Sequence, residues 1–497
     1  MIRPSVPFAP EALQLLTISC HKSRMKSQAS LVICLSLIGL ALSAVPQDEV
    51  KSLPGLKKQP FWHHYSGYLK ASGTKKLHYW FVESANNPQT DPVVLWMNGG
   101  PGCSSLLGLL TENGPFRITD EVGNLDYNPQ SWNKIANVLF LEAPAGVGFS
   151  YSDDKNYTTD DDQVARDNYL ALKDFFSKYP EFSTQEFFVT GESYGGIYVP
   201  TLSALVLADK AINFKGSAIG NGISDYSMNG DSIVYFAYFH GLIGESLWGD
   251  LLSSCCGGNA TRCRFSQRSN VTQCQAAIDK VMNIIYSGGL NEYNLYAPCL
   301  GETPGIHYDA STKQWVSTYL GWQYHSGIRK KIQGLKDLPP SQLRVTPPCV
   351  DLTSLINVVN GHKFREALHI PALVPDWQPC SGQVIVNYRR VYTTMRDFYL
   401  KILAAGKRML VYNGDVDMAC NFLGDEWFVD DLNIPVIAAR KAWYYLDDMK
   451  TKQVAGFVKQ FKDITFVTVR GSGHMVPTDR PIPAFDLFEK FIKNQPF

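Results

Sequence analysis

The chain has 497 residues, and its 46 Lys and Arg balance 46 Asp and Glu to a formal charge of zero. A hydrophobic share of 45% can bury a sizeable core, which excludes wholesale disorder, and the length suits two or three domains or one large domain with an insertion. Zero charge, with no basic run longer than Arg329-Lys330-Lys331, argues against nucleic acid as a partner.

The first predicted element is a leader. Residues 29–45 are an apolar run behind His21, Lys22, Arg24 and Lys26, ending in small residues before Gln47-Asp48-Glu49. A basic start, an apolar centre and a small-residue end predict a secretory signal peptide cleaved near Ala44, so that residues 1–44 are removed. A retained signal anchor is the alternative, but the run is short of the roughly 20 residues that span a bilayer. Residues 1–24 stand before this signal as an unusual extension, and Met25 is an alternative start. No later stretch is long and apolar enough to predict a membrane span.

Tyr65–Leu69 and Lys76–Glu83, around Ser72-Gly73, read as an antiparallel hairpin at a sheet edge. Short apolar runs then follow as buried strands: Val93–Met97, Val138–Leu141, Phe187–Val189, Ser217–Ile219, Met409–Tyr412 and Ile464–Val469. Near-continuous apolar runs suit a parallel sheet covered on both faces. Helical patterns lie between them, as at Asp162–Lys178 and Thr201–Lys210. Alternating strand and helix predicts an α/β fold. Residues 45–222 read as the first part of this core. From 223 to 349 the strand rhythm stops, and this stretch reads as an inserted, disulfide-stapled cap. Residues 350–497 resume the core. A second, independently folded module is the alternative reading of the insertion.

Loss of the leader removes Cys20 and Cys34 and leaves nine cysteines, six of them in 223–349. In an oxidising compartment these predict up to four disulfides and one thiol. Metal ligation is the alternative, but no CxxC pair and no histidine at ligand spacing accompany them, so neither metal nor cofactor is expected. Asn156, Asn259 and Asn270 head Asn-x-Ser/Thr sequons, as in a glycosylated secretory protein.

The chemistry centres on Glu186–Pro200. An apolar strand runs into Gly191-Glu192-Ser193-Tyr194-Gly195, and a helix follows. This is G-x-S-x-G in strand–turn–helix context, a nucleophile elbow. Serine is a weak nucleophile without a base, and the elbow predicts an acid and then a histidine further along. Asp417, after strand Met409–Tyr412, and His474, after strand Ile464–Val469, stand in that order. Asp415 is the other candidate acid; the Gly-x-x-Asp turn favours Asp417, and Asp415 reads as a turn cap. An oxyanion needs donors. The glycine-rich turn Asn98–Ser105 closes strand Val93–Met97, and the Gly100 and Tyr194 backbone N–H groups are the expected pair.

Four motifs in order now carry a resemblance: Asn98–Ser105 (NGGPGCSS), Gly191–Gly195 (GESYG), Gly414–Asn421 (GDVDMACN) and Gly473–Pro477 (GHMVP). Over nearly all of the mature chain the sequence resembles the serine carboxypeptidases of the α/β-hydrolase fold, and within them their lysosomal members. The resemblance departs between Gly301 and Leu343 and in the N-terminal extension. It implies a mostly parallel central sheet with helices on both faces, and peptide substrates with a free C-terminus. It implies that Asn98, the Gly99 N–H and Glu192, with Glu112 beside it, hold that C-terminal carboxylate. Two neighbouring carboxyls with partial burial keep one protonated as a donor, so acid-optimal activity is expected, with amide and ester cleavage persisting towards neutral pH. The resemblance further implies the pairs Cys103–Cys380, Cys255–Cys274, Cys256–Cys263 and Cys299–Cys349. It implies processing in the cap, expected at Arg329-Lys330-Lys331, a homodimer, a lysosomal or secreted destination, and protection of beta-galactosidase and sialidase. Cys420 is left unpaired. Two rival readings are a serine-carboxypeptidase-like acyltransferase or esterase, and a scaffold that mainly stabilises partners.

Overall fold

The computed structural model describes residues 45–119, 123–268, 271–300, 306–309, 314–317 and 343–497. The expected signal peptide, Asn270 and the Arg329–Lys331 tract lie outside them. The described residues belong to one compact unit, Ala44–Phe497.

The expected edge hairpin is β1 (His64–Lys70) and β2 (Lys75–Val82), paired antiparallel from His64↔Val82 to Lys70↔Lys76. Along the chain follow β3 (Val93–Met97), β4 (Asn137–Leu141), β5 (Tyr151–Ser152), β6 (Phe187–Ser193), β7 (Phe214–Gly222), β8 (Arg408–Gly414), β9 (Val436–Leu446), β10 (Lys452–Phe461) and β11 (Ile464–Val469). They form one 11-stranded sheet in the order β1-β2-β4-β3-β6-β7-β8-β11-β10-β9, with β5 pairing beside β2. The six strands from β4 to β11 in that order run parallel, and antiparallel strands flank them. This is the α/β-hydrolase architecture.

Alternation along each strand divides the core in two. Trp80, Val94, Trp96, Phe188, Leu410 and Val467 pack on one face against the C-terminal helix, and Tyr79, Leu95, Val189, Ile219, Val411 and Phe466 pack on the other. The second face is covered by α1 (Asp161–Lys178), α2 (Gly195–Val206) and a helix at Arg396–Ala404. α1 starts where expected because Asp160 caps it, accepting from Gln163 N at 2.9 Å, and Asp161 and Asp162 face the positive helix end. α2 is the helix expected behind the elbow, but it starts ahead of the Thr201–Lys210 pattern and ends within it. It begins directly behind Ser193 and runs through Pro200. Gly195, Gly196 and Pro200 read as breakers, but tertiary packing overrides propensity: α2 is buried on almost every side. The hairpin β9–β10 was not foreseen. β9 is a largely exposed edge strand whose centre, Ala-Ala-Arg-Lys-Ala, breaks the alternation that marks strands.

Between 223 and 349 lie α3 (Tyr226–Phe239), α4 (Glu245–Cys256) and α5 (Thr272–Ser287). Ile233, Phe236, Leu251, Phe265, Ile278 and Met282 form a separate apolar cluster there, joined by Met418 and Trp427. Cys255–Cys274 and Cys256–Cys263 staple this cluster; Cys299–Cys349 and Cys103–Cys380 complete the four disulfides. Cys420 is free and buried. Asn156 and Asn259 are exposed. Among the described residues no helix is long and apolar enough to cross a membrane.

Candidate active site

The site gathers at the carboxyl ends of β3, β6, β8 and β11. β6 ends in Ser193, held at φ 61°. A left-handed non-glycine residue is strained and is retained where its surroundings dictate it. The turn after β3 passes close by: a Cβ on Gly99 would stand 2.3 Å from the Tyr194 nitrogen and 2.7 Å from Ser193 Cβ. Only glycine admits that approach. The turn is anchored from the second half of the chain by Ser104 N→Pro379 O and Ser381 N→Gly102 O, both 2.8 Å, and by Cys103–Cys380. Gly99, Gly100 and Ser193 thus border one cavity.

The loop after β11 supplies His474, whose Nδ1–H donates to Asp417 Oδ2 at 2.8 Å. Asp417 is fully buried and accepts three further bonds, from Ala419 N (2.9 Å), Cys420 N (3.1 Å) and Asn221 Nδ2 (2.8 Å). These fix the carboxylate, and through it the imidazole plane. His474 Nε2 is buried without a partner, and His474 lines the same cavity as Ser193. A free ring nitrogen there can take a hydroxyl proton. Asp415 lies elsewhere: its Oδ1 accepts Gly471 N at 2.7 Å and bridges the two loops.

Residues 292–295 clamp both loops. His474 N donates to Tyr293 O at 2.7 Å, Leu295 N to Val416 O at 3.0 Å, and Met418 N to Glu292 O at 2.9 Å. The Tyr293 ring stacks on the His474 imidazole at 4.4 Å. Sequence reasoning missed Tyr293, Glu292 and Asn221. Only Asn221 left a signal, a polar residue between two glycines at a strand end.

At the other wall sits a pair of carboxyls. Asn98 Nδ2 donates to Glu112 Oε1 and Glu192 Oε1, each at 2.8 Å. Asn98 Oδ1 accepts from Trp96 Nε1 (2.9 Å) and Gly108 N (3.0 Å), so its amide is fully used in orienting the pair. Glu112 closes a widened helical turn, Gly108–Glu112, a form of helix common at functional sites. Burial first, then the neighbouring Glu112, push Glu192 well up; burial likewise raises Glu112, which shares a hydrogen bond with Glu192. One proton between two buried carboxyls leaves a neutral donor on the cavity wall. Leu107, Val350 and Leu352 give the cavity an apolar lining.

Two other buried acids lie nearby. Burial and then Asp417 raise Glu292 to about 8, and burial raises Asp425 to about 7. Among the described residues, Asp417, Cys420 and His474 have donor atoms within 4.8 Å of one another. Asp417 and His474 already bond each other, so a cation would have to break that contact.

A family model described as serine carboxypeptidase matches residues 54–494. The chain is 49% identical over 468 residues to lysosomal protective protein of Mus musculus, covering 94% of this chain and 98% of the relative. It is 40% identical to serine carboxypeptidase ctsa-4.1 of Caenorhabditis elegans, covering 95% and 99%. Among solved structures it resembles Kex1, a prohormone-processing carboxypeptidase of Saccharomyces cerevisiae, with a TM-score of 0.68, 21% identity and coverage of 91% and 97%.

Proposed function

The chain belongs to the serine carboxypeptidase family and hydrolyses peptides, and on that premise we propose that it removes C-terminal residues at acid pH through an acyl-enzyme on Ser193. The observation that supports these roles best is the Asp417–His474 bond with Nε2 left free on the wall that Ser193 shares. His474 Nε2 takes the Ser193 proton as Oγ attacks the scissile carbonyl, and Asp417 holds the tautomer. The Gly100 and Tyr194 amides receive the oxyanion. His474 then protonates the leaving amine, the terminal amino acid departs, and water repeats the sequence on the acyl-serine.

The substrate carboxylate sits against the Gly99 N–H, Asn98 and the shared proton of Glu112 and Glu192. Because both Asn98 amide hydrogens serve the glutamates, the incoming carboxylate exchanges with one of those bonds. Above the pH at which the pair loses its proton, two anions would meet and peptide cleavage falls. Cleavage of amides and esters, which bring no carboxylate, persists towards neutral pH. The decisive experiment is the pH profile of C-terminal residue release, with and without a serine-directed phosphonylating reagent. Glu192→Gln, which donates at every pH, flattens the acidic preference for free-acid peptides and leaves the profile of their C-terminal amides in place. An unchanged profile would sink this reading of the pair.

The leader, the disulfides and the protective relative support a lysosomal or secreted destination. A homodimer and a protective association with beta-galactosidase and sialidase are proposed from the sequence resemblance alone. Processing is proposed at Arg329-Lys330-Lys331. Because Cys299–Cys349 spans that tract, cleavage there yields two fragments on a reducing gel and one band without reductant. A fully active single chain after exposure to lysosomal extract would count against it.

A further inference from the structure

Behind the carboxyl pair lies a third oxygen. Tyr412 of β8 stands in register with Gly220 of β7, and Gly220 with Glu192 of β6. In-register residues of parallel strands project to one face, so the three form a single row. Gly220 adds no side chain to it. A Cβ there would stand 2.4 Å from Tyr412 Cζ and 2.5 Å from its hydroxyl, so the end of the phenol lies over Gly220, on the strand between those of Tyr412 and Glu192.

Tyr412 is 2% exposed, and its hydroxyl has no hydrogen-bond partner. Glu112 Oε2 is equally buried and equally unpaired. A buried hydroxyl and a buried carboxyl oxygen without partners are each costly, and the phenol lies within electrostatic reach of both glutamates. After burial, Glu192 and Glu112 are the charges that bear on the phenol, and both keep it protonated. The other titratable groups bearing on the pair are His474 and Arg117 at Glu112, and Asp417, Tyr293 and Cys420 at Glu192. None of them lies in the row.

We propose that Tyr412 is a positioning residue of the carboxyl pair: its hydroxyl donates to whichever of Glu112 and Glu192 carries the negative charge, and so fixes the pH at which the pair stops donating to a peptide C-terminus. The proposal rests on the reading of Glu112 and Glu192 as the carboxylate site. A hydroxyl that bonds the ionised form lowers the proton affinity of the pair. Its removal therefore carries peptide cleavage to higher pH.

The test is the pH dependence of kcat/KM for Tyr412→Phe on an N-blocked dipeptide with a free C-terminus and on the same dipeptide amidated. The alkaline limb for the free acid is expected to move up by about one pH unit, a tenfold change in proton affinity, while the amide profile keeps its position. Limbs that superimpose on the wild type, or two substrates that shift together, would overturn the proposal. Phe keeps the buried ring and removes only the hydroxyl, and melting at pH 5 serves as the folding control. Gly220→Ala displaces the phenol without removing it and must move the free-acid limb in the same direction. Glu192→Gln measured alongside separates the two readings. If it alters the free-acid limb and Tyr412→Phe does not, Tyr412 has no such role; if Glu192→Gln leaves the limb in place, the carboxylate site itself is misassigned.

Discussion

Ser193→Ala lowers kcat for peptide hydrolysis by on the order of 10⁵-fold with little change in KM, because substrate binding rests on other walls of the cavity while acyl transfer loses its nucleophile. His474→Ala costs a similar factor, and the double variant falls no further, since the two residues act as one unit. The aspartates separate more sharply. Asp417→Asn keeps the shape but presents a donor or a weaker acceptor to His474 Nδ1, and lowers kcat by about 10³- to 10⁴-fold through the wrong tautomer. Asp415→Asn can still accept the Gly471 N–H, and its effect stays within about tenfold. Steady-state kinetics on enzyme of known active-site concentration checks all five variants. A Ser193→Ala variant that keeps a tenth of the activity, or an Asp415 variant worse than the Asp417 one, would refute the assignment.

Glu292→Gln stabilises the protein at pH 7 and leaves it nearly unchanged at pH 4.5. Burial, then Asp417, hold Glu292 at about 8 against an ordinary value of 4.5, and one carboxyl oxygen has no hydrogen-bond partner. Below pH 4.5 the group is protonated in both folded and unfolded chains and costs nothing. Between 4.5 and 8 the folded chain holds a proton that the unfolded chain releases, so stability falls as pH rises through that window and levels off above it. At pH 7 the cost is about 3 kcal/mol as an upper value, from 1.36 kcal/mol per unit. Gln does not titrate and escapes it. Asp425, raised to about 7, acts in the same sense, as do Glu112 and Glu192. Thermal melting of the wild type is therefore expected to peak in the acid range and decline towards pH 8, with Glu292→Gln flattening the decline by a few degrees. Equal loss at both pH values would exclude this account.

Much of this site was legible locally because its parts sit where strands end. Ser193 between glycines, the glycine-dense turn at Asn98–Ser105, and Asp417 and His474 behind apolar runs each announce a sharp turn out of a buried strand. The strands themselves were legible because burial on both faces makes them continuously apolar. β9 failed that test because it is an edge strand, with one side in solvent. The start of α2 was misplaced for another reason: it is chosen by packing of Gly196 against the Ile223 backbone, not by propensity.

The sequence by itself determined the fold class, the order of the strand-end residues and the family, since these depend on short-range patterns of polarity and turn residues. Tertiary structure alone decided which partners those residues meet. It set Tyr293 against His474, closed Asn221 onto Asp417, spent both Asn98 hydrogens on the glutamates and aligned Tyr412 with Glu192 across a glycine. The physical reason is that each of these contacts joins strands and loops that are distant in the chain. Their geometry follows from sheet register and burial, which no local window of sequence contains.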